Sequence, residues 1–175
     1  MAESFDPASL SIETAVRYRE LRAEVAAVLE GEPDRIARMA TVAAMLAQAF
    51  PDRFFWTGFY VVDPDKPDEL VVGPYQGTLG CLRIPFGRGI CGAAATTGEV
   101  QIVEDVHAFP GHIACDVRSR SEIVLPVLDE AGALIAVLDV DSTEVAAFDK
   151  ADAEGLRAIL ADTFGSTRNF SLCTE

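Results

Sequence analysis

The chain contains no C-x-x-C pair, although it has four cysteines. The usual zinc-ligand spacings are therefore absent, and no metal is expected. Basic residues are few: 14 Lys and Arg stand against 28 Asp and Glu, for a formal net charge of −14. That field repels phosphate backbones and argues against a nucleic-acid partner. No apolar run approaches the roughly 20 residues of a membrane span, so no membrane partner is expected. The opening residues, MAESFDPASLS, carry neither a basic nor an apolar export signature, and a cytoplasmic protein is the expectation. Internal repeats, low-complexity tracts and long linkers are missing as well.

Half of the 175 residues are hydrophobic, which suits a single globular domain with a sizeable core. The spacing predicts a helix over 11–30, with Ser11 as N-cap and an apolar stripe of Leu21, Val25, Val28 and Leu29. A second helix is predicted over 33–50, with Ile36, Met39, Ala43, Leu46 and Phe50 on one side. The period then changes. Residues 54–62 read as a strand in which positions 54, 56, 58 and 60 share a face. Asp63-Pro64-Asp65 turns into a partner strand over 69–72. Short strands are expected at 81–85 and 100–103, around a short helix at 89–97 closed by Gly98. Residues 105–119 lack periodicity and read as a loop, long enough to suggest function. Strands at 122–128 and 134–140 and a helix at 149–165 complete the order. The fold class is α+β: a largely antiparallel sheet, terminal helices on one face, and a pocket built by loops and the short helix on the other.

Three cysteines fall between Cys81 and Cys115. A protein expected in the cytoplasm has little use for structural disulfides, so these thiols point to redox chemistry. Cys115 lies in the turn-like GHIACD, near His107, His112, Arg118 and Arg120, which is the setting of a reactive thiol. Cys81 and Cys91 flank the turn LRIPFGRG, and their part depends on whether the fold brings either near Cys115. Cys173 reads as incidental. GRGICG, residues 87–92, matches G-x-G-x-x-G, but its helix is too short and no βαβ series follows, so a nicotinamide cofactor is not expected. Arg83 and Arg88 read as solvated or ion-paired. Asp139 and Asp141 sit at i and i+2 in VLDVDS and share one strand face, where one pKa should rise. Glu122 opens the neighbouring apolar strand. Trp56 and Tyr60 point the same way, into the core or into a pocket wall.

WTGFY, GPYQG, CLRIPFGRGICG, EDVHAFPGHIACD, SRSEIVLPV and VLDVDSTEVAAFD together resemble the free methionine-(R)-sulfoxide reductase family, which has a GAF-type fold. The resemblance runs from about residue 33 to 165, leaving 1–32 as a helical extension and 166–175 as a tail. It implies Cys115 as the catalytic cysteine, Cys81 as the main resolving cysteine and Cys91 as an additional one. It implies Glu122, Asp139 and Asp141 as pocket carboxylates, and Trp56 and Tyr60 as the aromatic wall around the substrate's methyl end. It also implies free methionine-(R)-sulfoxide as substrate, thioredoxin as reductant, a homodimer, and no cofactor. Tyr75 stands where phenylalanine is frequent, and Cys173 is extra. The chemistry is consistent: a pocket acid protonates the sulfoxide oxygen, a thiolate attacks sulfur, and a sulfenic acid condenses with a second thiol. Two other readings remain open. One is a non-catalytic GAF sensory module that binds a small ligand, which leaves the cysteines unexplained. The other is a zinc site of Cys81, Cys91, Cys115 and His112.

Overall fold

The computed structural model describes residues 7–111 and 115–165. Helices α1 (Pro7–Val28) and α2 (Arg35–Ala49) lead into strands β1 (Trp56–Asp63) and β2 (Lys66–Gln76). Strand β3 (Arg83–Pro85), helix α3 (Gly89–Thr97) and strand β4 (Gln101–Val103) follow. After a single 3-10 turn at Val106–Ala108 come β5 (Ser121–Leu128), β6 (Leu134–Ser142) and α4 (Lys150–Phe164). The strands form one sheet in the order β3-β2-β1-β6-β5-β4, and every neighbouring pair is antiparallel. The expected α+β architecture is the observed one.

Period-two alternation divides the sheet between two cores. Phe59, Ile123, Leu125, Val127, Ala136, Leu138 and Val140 face α1, α2 and α4. Trp56, Tyr60, Val124 and Val137 face the other way, against Ile90, Cys91, Ala94 and Ala95 of α3. The acids of β5 and β6 fall on this second face. Glu122 pairs directly with Asp141, and Asp141 in turn with Trp56. Asp139 lies between Val124 and Gly58.

Several details differ from the sequence reading. Helix α1 begins at Pro7, so Ser11 lies inside it rather than capping it. Its buried stripe is Tyr18, Leu21 and Val25, and Val28 is exposed. On α2 the buried face runs Met39, Val42, Ala43 and Leu46, and stops a turn short of the helix start, leaving Ile36 exposed. Phe54 packs on the helix side, away from Trp56. Its N–H still donates to the Phe50 carbonyl at 2.9 Å, so it belongs to the turn that closes α2 and not to the strand alternation. The strand expected over 69–72 extends to Lys66–Gln76. His112, Cys173 and the tail lie outside the described residues.

Helix α1 is fastened to α4. The Tyr18 hydroxyl donates to Asp152 at 2.9 Å, Arg53 pairs with the same carboxylate, and Arg22 grips Asp162 through bonds of 2.6 and 2.8 Å. Gly155 admits the Tyr18 ring, since a Cβ there would lie 2.2 Å from the Tyr18 Cγ. Among the described residues no helix is long and apolar enough to cross a membrane.

Candidate active site

A cleft of about 530 Å³, mouth included, opens between the second sheet face, the start of α3 and the loops carrying Cys81 and Cys115. It gathers residues from β1, β3, β5, β6, the start of α3 and the loops at 79–80 and 115–119, because the strand ends and helix start converge there. Trp56, Tyr60, Cys91, Cys115, Glu122, Asp139 and Asp141 all line it. Cys81 is joined to Cys115 by a disulfide with a Cα–Cα distance of 5.3 Å. Cys115 is exposed and Cys81 partly so. With these two sulfurs bonded to each other, the zinc set drawn from Cys81, Cys91, Cys115 and His112 loses two of its thiolates.

Beneath the disulfide the cleft floor is acidic. Glu122 and Asp139 are each 6% exposed, and Asp141 reaches the open side. Burial pushes the Glu122 carboxyl well above the ordinary range, and the charges of Asp139 and Asp141 add to the shift. Asp139 is raised in the same way, by burial first and then by Asp141. Burial carries Asp141 up to about 6, against a hydrogen bond from Ser119 that pulls it down. One oxygen of Asp139, Oδ1, is buried with no hydrogen-bond partner among the protein's own groups. The orphaned oxygen and the acidic surroundings mark a place for a cationic group.

Cys91 sits in the first turn of α3, with Sγ 3.8 Å from the Glu122 Oε1 that accepts its bond. Burial, then Asp139 and Glu122, hold this thiol well above its usual pKa, so it stays protonated. Ligand atoms of Cys91, Glu122 and Asp139 lie within 4.8 Å of one another, a set able to hold a small cation.

One side wall is aromatic. Trp56 stacks between Tyr60 and Tyr75, with centroids 5.6 and 5.2 Å away. Gly58 makes the stack possible, because a Cβ there would lie 2.3 Å from the Tyr75 Cβ and 2.8 Å from the Trp56 ring. The Trp56 indole N–H donates to the Thr78 carbonyl at 2.9 Å, which fixes the loop leading to Cys81. The Thr78 hydroxyl donates to Asp116 at 2.8 Å and ties that loop to the one bearing Cys115.

Some contributors were not legible as such in the sequence. Ser119 is buried beside Asp141, and no spacing signal marks it. Arg88, read as a solvated cation, lines the cleft at the N-cap of α3. Arg118, expected to favour a Cys115 thiolate, is instead held by Asp116 and lies over the Phe55 ring. His107 hydrogen-bonds to Asp105 at 3.0 Å in the 3-10 turn.

The profile of the GAF domain family matches residues 32–163. The free methionine-R-sulfoxide reductase of Escherichia coli (strain K12) is 44% identical over 144 residues, 82% of this chain and 84% of the relative. The chain belongs to the free methionine-R-sulfoxide reductase family of GAF domains. The X-ray structure of free methionine-R-sulfoxide reductase from Neisseria meningitidis, in complex with its substrate, superposes with a TM-score of 0.80. It is 44% identical, with 93% of this chain and 91% of that chain covered. The reduced form of the Staphylococcus aureus fRMsr gives 0.78 at 40% identity, over 83% and 92% of the two chains. These likenesses bear out the fold expected from the sequence and the family resemblance.

Proposed function

We propose that this protein reduces free L-methionine-(R)-sulfoxide to methionine, with Cys115 as attacking thiol and Cys81 as resolving thiol. The observation that carries the reading is the Cys81–Cys115 disulfide over a cleft with a carboxylate floor and an aromatic wall. The Cys115 thiolate attacks the sulfoxide sulfur while a carboxyl protonates the oxygen. The oxygen passes to Cys115 as a sulfenic acid, and methionine leaves. Cys81 then attacks the sulfenic sulfur, expels water and forms the disulfide. Cys91, protonated on the floor, is a reserve resolving thiol and not the nucleophile.

The acids divide the work. Burial raises the carboxyls of Glu122 and Asp139 well above their ordinary range, which suits them as proton donors, whereas Asp141, raised only to about 6, pairs with the substrate ammonium. Arg88 and the first turn of α3, which has no side-chain cap, face the substrate carboxylate. Trp56 and Tyr60 enclose the methyl end. A purely sensory GAF module accounts for the cleft but not for a disulfide at its edge. The same reading carries recycling by thioredoxin in the reducing cytoplasm, and a homodimer whose existence sedimentation tests.

The decisive assay is loss of free methionine-R-sulfoxide, with the S epimer and the N-acetylated R epimer as controls. An acetylated amine leaves the half-buried Asp141 without its cation, so that substrate should react very poorly. A charge-assisted hydrogen bond contributes about 1.5–3 kcal/mol, so Asp141→Asn should raise KM by about tenfold or more. Glu122→Gln should act mainly on kcat. Equal kcat/KM for free and acetylated substrate on the unaltered protein would falsify ammonium recognition.

A further inference from the structure

Large hydrophobic side chains are exposed at seven described positions, and three of them crowd the disulfide: Leu79 at 83%, Leu82 at 75% and Val117 at 85%. Leu79 and Leu82 bracket Cys81, and Val117 lies two residues beyond Cys115. Exposed apolar side chains scattered singly are ordinary, but a cluster of them marks an interaction site. The loops bearing them are built, not loose. Thr78 bonds Asp116 across the two loops, Trp56 holds the Thr78 carbonyl, the Val72 N–H donates to the Leu82 carbonyl, and Arg118 packs over Phe55.

We infer that Leu79, Leu82 and Val117 form the docking face for a dithiol protein with an apolar surface around its reactive cysteine and an acidic rim. The inference rests on the proposed reductase cycle only for the reason such a partner is needed. The rim follows from charge. Segments 78–88 and 115–120 carry four arginines on a chain of net charge −14; Arg83 is paired with Asp63 and Glu69 and Arg118 with Asp116, which leaves Arg88, and Arg120 beside Asp105, as the positive charge of the rim. A second copy docked face to face would set these arginines against each other, whereas an acidic rim would complement them. Cys115 lines the cleft, whereas the partly exposed Cys81 lies outside that lining, and attack by a partner that stays outside the cleft is assigned to Cys81. The partner's thiolate attacks Cys81 Sγ, a mixed disulfide forms, the Cys81–Cys115 bond breaks, and Cys115 leaves as thiolate. The partner's second thiol then displaces Cys81. The partner is oxidised to its disulfide, and two electrons and two protons pass to the Cys81–Cys115 pair.

The test follows reduction of the disulfide itself and needs no sulfoxide. Second-order rates are measured with thioredoxin and with dithiothreitol, on the intact protein and on Leu82→Ser/Val117→Ser; neither residue lines the cleft. The variant should react about tenfold or more slowly with thioredoxin, the loss expected for a truncated interface anchor, while its dithiothreitol rate stays within about twofold. The thioredoxin rate on the intact protein should also fall as salt is raised. An unchanged thioredoxin rate in the variant, or equal losses with both reductants, overturns the docking face. Sulfoxide turnover driven by dithiothreitol reports separately on the reductase reading, so the two can fail independently.

Discussion

Cys115 and Cys91 share one cleft and differ in nearly everything that sets thiol chemistry. Cys115 is exposed on a loop, whereas Cys91 is buried over carboxylates that keep it protonated. Replacing Cys115 by serine should therefore abolish turnover, and near-normal steady-state activity in that variant would remove Cys115 from the mechanism. Cys81→Ser should still release one equivalent of methionine in a single turnover, leaving a sulfenic acid that a dimedone-type reagent traps. Loss of that single equivalent would mean that Cys81 does more than resolve. That Cys115 and the acids belong together was legible because their signals are local: a thiol in a polar turn, and carboxyls at i and i+2 on an apolar strand; all of them line the cleft. The partnership of Cys81 with Cys115 was not legible from spacing, since 34 positions separate them and only the family resemblance pointed to it. Ser119 and Arg88 escaped for a related reason. Their neighbours in space come from β6 and from the cleft, not from adjacent sequence.

Among the elements, α3 is held close to the turn that precedes it. It spans nine residues, Gly89–Thr97, and its first turn supplies Cys91 and faces the cleft. Gly92 is the point of closest contact. A Cβ there would stand 2.5 Å from the Pro85 carbonyl oxygen and 3.1 Å from the Gly87 nitrogen, both backbone atoms. The Gly87 N–H also donates to the Gly92 carbonyl at 2.9 Å, which locks the turn to the helix. Gly92→Ala should cost about 1–3 kcal/mol of stability, as overpacking does, and should raise KM by displacing the floor of the site. Denaturant unfolding and steady-state kinetics on the same preparation check both halves. The limits of α3, including its left-handed close at Gly98, were legible because glycine marks both ends. The reach of β2 was not, because its charged first half, KPDE, resembles a turn until β1 supplies its hydrogen-bond partners. The start of α1 was hidden likewise, since the packing of Tyr18 on α4 that anchors the helix leaves no local sequence signal.

For the whole molecule, the acidic floor ties stability to pH in an unusual sense. Asp141 is raised from 3.8 to about 6, so between those values the folded chain holds a proton that the unfolded chain has released. Its stabilising effect is full below about pH 4 and fades as pH rises to about 6. Glu122 and Asp139 act in the same direction and extend the loss to higher pH. Carboxyls such as Asp63 and Asp162, lowered by Arg83 and Arg22, lose their contribution as pH falls through their folded-state values. Thermal midpoints at pH 4.5 and 7 should therefore drop more for the unaltered protein than for Asp141→Asn. If both drop alike, Asp141 titrates normally in the fold. Methionine, which brings an ammonium to the floor, should restore more stability at pH 7 than at pH 4.5.

The bond between Cys81 and Cys115 also sets a timetable. In the proposed cycle, once it forms the sulfur of Cys115 is spent, and no second sulfoxide can react until an outside dithiol has come and gone. In that cycle oxidant and reductant thus act in turn, the sulfoxide at Cys115 and the dithiol at Cys81, and never meet on the enzyme. Their kinetics should be ping-pong, giving parallel double-reciprocal lines when sulfoxide is varied at several fixed concentrations of the reductant.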